Sequence, residues 1–213
     1  MDLVLHSAWR ASAPYRVRIG LNLKGLDYRV VPVDLVTNAH QQPAYAALNG
    51  QKLVPTLEVD GRSLTQSLAI LEWLDETVPE PALLPADPLD RAVVRAMAEI
   101  IACDIHPVNN LRILRALAGL GVDEDGRDAW AQRWIGDGFS ALEPMIARHG
   151  DGFCFGATPG LADCCLIPQI YNAARFKVDL TPFPAIRAVA ERAAGHPAIA
   201  AAHPNLQPDA VNA

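Results

Sequence analysis

The spacing of apolar and polar positions changes character near residue 88, and the two stretches predict different architectures. Residues 3–6 are short and apolar, a first strand. In 14–23, Val17, Ile19, Leu21 and Leu23 are set against Arg16 and Arg18, which predicts a helix just past the small-residue loop 7–13. Ser12 is placed to cap it, Pro14 is tolerated in its first turn, and Lys24-Gly25 ends it. Residues 28–33 predict a second strand, which completes a βαβ start. The polar stretch 38–51 holds a short helical piece around Tyr45 to Leu48. Val54 to Val59 reads as a strand, Asp60-Gly61 as a two-residue hairpin turn, and Gln66-Ser67 opens an apolar helical run to about Val78.

Pro79, Pro81, Pro85 and Pro88 stop any helix and mark a linker, 81–88, between domains at 1–80 and 89–213. Beyond it the apolar period is helical throughout. One helix is expected from Arg91 to about Leu117, kinked at Pro107 and stopped by Gly119. A second runs over 128–148 with Trp130, Trp134, Phe139, Leu142 and Ile146 at core spacing, a third over 161–174, and a last over 184–194. Asp163 is placed to reach back to a Gly160 cap, which offers no side-chain bond of its own. The tail after Pro204 is expected to be loosely ordered. The fold class is thus an α/β, thioredoxin-like N-terminal domain followed by an all-α domain.

The bulk numbers narrow the function. The chain has 213 residues, 51% of them hydrophobic, enough for a real core. A net charge of -6 with no basic stripe argues against nucleic acid. No signal peptide and no membrane span are visible, and Cys103, Cys154, Cys164 and Cys165 show neither a C-x-x-C pair nor metal-ligand spacing. A cytoplasmic protein with buried reduced thiols and no metal site is expected.

Pro55 is out of place inside a strand, because it cannot donate to a ladder. A cis bond at a bend reconciles it and leaves the Val54 backbone available to an extended ligand. Ser67 at a helix start offers a hydroxyl and bare N–H groups, which suit a carboxylate. An edge strand with an ordinary capped helix accounts for the same residues. Ser12, at another helix start, can donate to a thiolate, or merely cap. Arg10 and Arg175 lie among apolar or small residues rather than in charge runs, and two such cations suit a dicarboxylate. Structural ion pairs are the plainer account. His106 and Asn110, four apart, share a helix face beside Pro107 and form a ligand contact or a surface pair.

The run V-P-x-L at 54–57, followed by Q-S-x-A-I-x-x-W-L at 66–74, resembles the glutathione-binding half of a glutathione transferase. The loop Trp9-Arg10-Ala11-Ser12-Ala13-Pro14-Tyr15-Arg16-Val17-Arg18-Ile19 resembles the zeta-class signature S-S-C-x-[WH]-R-V-R-I-A-L, of the group that includes maleylacetoacetate isomerase. The likeness recurs at Leu48-Asn49, 104–111 and 175–182; Cys103 to Pro107 especially resembles maleylpyruvate isomerases. Two signature positions depart from the pattern: the first Ser falls on Ala11 and the Cys on Ala13.

The resemblance implies a homodimer that uses glutathione as cofactor and isomerises a maleyl keto-acid to its fumaryl form. It implies that Val54, beside a cis Pro55, pairs with the cysteinyl backbone of glutathione and that Gln66 and Ser67 hold its γ-glutamyl end. Gln42, with Lys52 and Gln51, falls at the glycyl end; His106 and Asn110 lie over the ligand. The thiolate-activating role passes from Ala11 to Ser12, helped by backbone N–H groups from Ala13 on, and Arg10 and Arg175 take the substrate's carboxylates. Maleylacetoacetate is the expected substrate. Maleylpyruvate isomerisation, general glutathione conjugation and a non-catalytic binding module are the alternatives.

Overall fold

The computed structural model describes residues 1–210. These divide into two compact units, 1–83 with the described residues from 195 on, and 84–194. The second domain was expected to run to the C-terminus; instead the chain returns after residue 194 to the first unit.

In the first unit, β1 (Leu3–Ser7), α1 (Ser12–Leu23) and β2 (Arg29–Pro32) form the βαβ start. A 3-10 turn (Ala39–Gln41) and α2 (Pro43–Leu48) lead to β3 (Thr56–Val59), β4 (Arg62–Thr65) and α3 (Ser67–Thr77). The four-stranded sheet has the order β2-β1-β3-β4, with β1 and β2 parallel and the other pairs antiparallel. Asp60 at φ 47° and Gly61 at φ 79° make the two-residue turn between β3 and β4, both in the left-handed region that such hairpins require. Ladder pairing of β3 begins at Thr56, opposite His6, so Val54 and Pro55 precede the strand. The Val54-Pro55 peptide is cis.

The arginines of α1 do not form a polar face. Arg16 and Arg18 are both buried, and burial on this helix is continuous from Pro14 to Leu21. Gly20 explains the close approach of α1 to α3: a Cβ there would sit 2.2 Å from Leu71 Cδ2. Lys24, also buried, donates to Asp75 at 2.8 Å and to the Pro81 carbonyl at 2.6 Å, fastening the end of α1 to α3 and the chain beyond it.

The second unit holds α4 (Pro88–Glu99), a π-helical turn (Ile100–Ile105), α5 (His106–Asn109), α6 (Leu111–Gly119), α7 (Glu124–His149), α8 (Leu161–Arg175) and α9 (Pro184–Ala194). The single kinked helix expected over 91–117 is thus several pieces. Pro107 has no N–H to give and its ring crowds the preceding turn, so the widened turn ahead of it is the local remedy. Gly138 on α7 makes room for that turn: a Cβ would lie 2.3 Å from Ile105. Phe139, Leu142 and Ile146 are core residues as expected, but Trp130 and Trp134 are only partly buried, edge to face at 5.7 Å, with Trp130 Nε1 donating to the Val108 carbonyl.

The returning chain adds α10 (Pro197–Ala201) and a 3-10 turn (Pro204–Leu206). Loose order was expected after Pro204. Pro204 is instead buried, and Asp209 accepts a hydrogen bond from the Trp9 amide; residues 211–213 of that expectation lie outside the described residues.

Candidate functional site

Ser12 is the first helical residue of α1, not its cap. Ala11 occupies that position, in extended backbone, and provides no side-chain bond. The Ala11 amide turns back to the Ala8 carbonyl at 3.1 Å, and Pro14 carries no N–H. The Ser12 and Ala13 amides are therefore the donors left at this helix start. Ser12 is 6% exposed, and its hydroxyl makes no hydrogen bond within the described residues.

The start of α3 is built differently and is open in the same sense. Gln66 precedes it at φ 69°, ψ 116°, a backbone region costly for a side-chain-bearing residue by about 1–3 kcal/mol. No side chain caps this helix. The Gln66 side chain donates through Nε2 to Gln51 Oε1 at 2.6 Å, whereas Ser67 is buried and its hydroxyl accepts from Arg16 Nη1 at 3.2 Å. Sequence spacing did not mark Arg16 for this role; an arginine among apolar residues on a helix that proves buried all round is the only signal it carried.

The approach to Val54 is fixed by residues absent from the sequence-derived site. Tyr45 Oη and Asn49 Nδ2 both donate to the Leu53 carbonyl, at 2.6 and 2.8 Å, and Tyr45 Oη also meets Thr56 Oγ1 at 3.0 Å. Burial pushes the Tyr45 hydroxyl's pKa up, so it remains a donor. Gln51 and the left-handed Lys52 lie in the same loop. Gln42 stands exposed just before α2. Arg10 is exposed, its guanidinium 5.5 Å from the Trp9 ring, and has no carboxylate partner within the described residues.

The remaining expected residues belong to the second unit. His106 begins α5 and is partly buried. Asn110 is not on its helix face: the backbone turns extended there, and the Asn110 side chain caps α6 by accepting from the Ile113 amide at 3.1 Å. The helix that a spacing of four presumed is broken between the two. Arg175 closes α8, exposed and 5.9 Å from the Phe176 ring, where Lys177 at φ 53° ends the helix.

The cysteines take no part in this constellation. Cys103 is exposed, contrary to expectation, and the other three are buried. Burial, followed by the nearby Asp163 carboxylate, pushes the Cys154 thiol well above its ordinary pKa, which keeps it protonated and a poor nucleophile. Among the described residues no His, Cys, Asp and Glu cluster could hold a metal, and no helix is long and apolar enough to cross a membrane.

Comparison with known proteins bears on the same stretches. The family model of the glutathione S-transferase N-terminal domain matches residues 12–77. A maleylacetoacetate isomerase of Pseudomonas aeruginosa is 51% identical over 208 residues, 96% of this chain and 97% of the relative. The holo structure of maleylpyruvate isomerase, a bacterial zeta-class glutathione S-transferase, matches with a TM-score of 0.96 at 47% identity, over 98% of this chain and 100% of that one. A maleylacetoacetate isomerase from Anaeromyxobacter dehalogenans, solved with glutathione in its active site, matches at 0.90 and 46% identity, over 99% and 98%. With both units matched and the open starts of α1 and α3 inside the matched N-terminal domain, the chain belongs to the zeta class of the glutathione transferases, in the group of maleylacetoacetate and maleylpyruvate isomerases.

Proposed function

We propose that this protein is a glutathione-dependent cis–trans isomerase that converts maleylacetoacetate to fumarylacetoacetate. The observation that carries the proposal is the pair of open helix starts, α1 with Ser12 and α3 with Gln66 and Ser67, in one unit with the Val54 backbone, which precedes the β3 ladder. These donors fit a small peptide with a thiol and carboxylates. Val54, Pro55, Gln42, Gln66 and Ser67 of the first unit hold glutathione, and His106 and Asn110 of the second are further contacts. These residues would hold glutathione, whose thiolate would supply the nucleophile for the double bond and be regenerated.

The protein's own contribution is electrostatic. Ser12 donates its hydroxyl to the sulfur, and the Ser12 and Ala13 amides at the positive end of α1 favour the anion. Arg10 and Arg175 each take a carboxylate of the substrate, which fixes the acid while charge develops on it. A cytoplasmic homodimer is the proposed working form; sedimentation of the purified protein measures the assembly.

The deciding experiment follows ultraviolet loss of maleylacetoacetate and maleylpyruvate, each with and without glutathione. Turnover of maleylacetoacetate only with glutathione, and faster than that of maleylpyruvate, is expected. A preference for maleylpyruvate, favoured by the similarity to the maleylpyruvate isomerase structure, reassigns the substrate within the same chemistry. If glutathione binds and neither acid reacts, the isomerase reading is wrong and conjugation of uncharged electrophiles replaces it.

A further inference from the structure

The peptide that carries Arg10 is held from both sides. Arg18, fully buried, spreads one guanidinium over three acceptors: Ser7 Oγ at 3.0 Å, the Trp9 carbonyl at 2.8 Å and the Ala202 carbonyl at 3.1 Å. The Trp9 amide donates to Asp209 Oδ2 at 3.0 Å. Both backbone polar groups of Trp9 are thus engaged, one by α1 and the other by the returning C-terminal chain. Arg10 is the next residue, with its guanidinium against the Trp9 ring, and Ser12 follows one short turn later.

Docking of the tail does not depend on Asp209. Asn22 Nδ2 donates to the Ala198 carbonyl at 2.9 Å, Arg18 holds Ala202, and the Tyr15 and His203 rings meet edge to face at 6.4 Å. Asp209 Oδ1 is buried with no hydrogen-bond partner within the described residues, an arrangement that costs stability. The Asp209 carboxylate thus spans 200 residues to a single loop amide, the one next to Arg10.

We propose that Asp209 is a positioning residue: through the Trp9 amide it sets the direction of Arg10 and thereby the hold on the substrate's carboxylate. The inference rests on the isomerase reading for its substrate, but its structural half is independent of it.

The test combines kinetics, ligand binding and amide exchange on the full-length protein. Asp209→Ala raises KM for the maleyl acid about tenfold with a smaller change in kcat, as a mispositioned clamp does. Malonate binding to the glutathione-loaded protein weakens by about the same factor, while the Kd for glutathione moves less than about twofold. Asp209→Asn keeps an acceptor oxygen and restores most of the loss. In an Arg10→Ala background, Asp209→Ala has no further effect, because residues acting through one contact are not additive. Exchange of the Trp9 amide speeds up in Asp209→Ala and returns towards the parent rate in Asp209→Asn. Deletion of 208–213 removes the same acceptor and serves if the alanine variant does not fold. Unchanged Trp9 exchange, or effects of Arg10→Ala and Asp209→Ala that simply multiply, overturns the proposal. If the parent protein turns over neither acid, the isomerase reading fails, while malonate binding and Trp9 exchange still decide the role of Asp209.

Discussion

The helix starts of the two units are finished in opposite ways. In the second unit side chains close the starts of α4, α6, α7, α8 and α9, while α5 continues from the π-helical turn without a side-chain cap. Asp87 caps α4 and Asn110 caps α6, while Asp123 caps α7. At α8 the Asp163 carboxylate takes the Gly160 amide at one oxygen and the Cys154 amide at the other, both at 2.9 Å. Glu143 of α7 reaches across to the Ala185 and Ile186 amides of α9. In the first unit α1, α2 and α3 all begin without a side-chain acceptor. An orphan amide at a helix start must find a partner in protein, water or ligand. Closed starts make a scaffold, and open ones are available to an anion.

The comparison breaks most visibly at Asp163. Asp163→Ala leaves two amides unsatisfied, one of them beside the fully buried Cys154, and is expected to lower stability by about 3 kcal/mol in urea unfolding. Its effect on turnover per folded molecule should be small. Ser12→Ala is the converse: the hydroxyl makes no hydrogen bond within the described residues, so stability stays within about 0.5 kcal/mol while turnover falls at least about tenfold. An unchanged rate moves the sulfur's stabilisation to the Ser12 and Ala13 amides alone.

Closing an open start sharpens the contrast. Ala11→Asp places an acceptor at the α1 cap and should add about 0.5–1 kcal/mol of stability. The same change occupies the ligand's donors with a competing charge, so glutathione binding weakens severalfold in calorimetry. A gain in both properties would show that the open start of α1 is not where the ligand binds.

The smallest expected effect is the pH dependence at Asp163. Burial raises its folded pKa above the ordinary 3.8, against the lowering effect of its backbone hydrogen bonds. The folded state therefore binds the proton more tightly than the unfolded chain. Stability from this group is fullest below 3.8 and declines as pH rises through the window up to the raised folded value. Unfolding curves of the parent and Asp163→Asn, taken across that window, should show the parent's stability falling relative to the variant's as the pH increases.

Much of this was legible in the chain itself. Alternation and apolar period identified the strands, the hairpin at Asp60-Gly61 and most of the helices, because local backbone preference and one-sided burial write themselves into spacing. The motifs at 9–19, 54–57 and 66–74 placed the family. Other features were decided only by tertiary packing. Arg16 and Arg18 look like a solvated face until α1 is enclosed on all sides. The widened turn before His106 arises where proline's missing donor meets a packed neighbour, Gly138, far along the chain, and the helix breaks again at Asn110, whose side chain starts α6. Asp209 shows the limit most clearly. Its partner, the Trp9 amide, is 200 residues away, and a bond of that separation leaves no period, spacing or local propensity in the sequence to read.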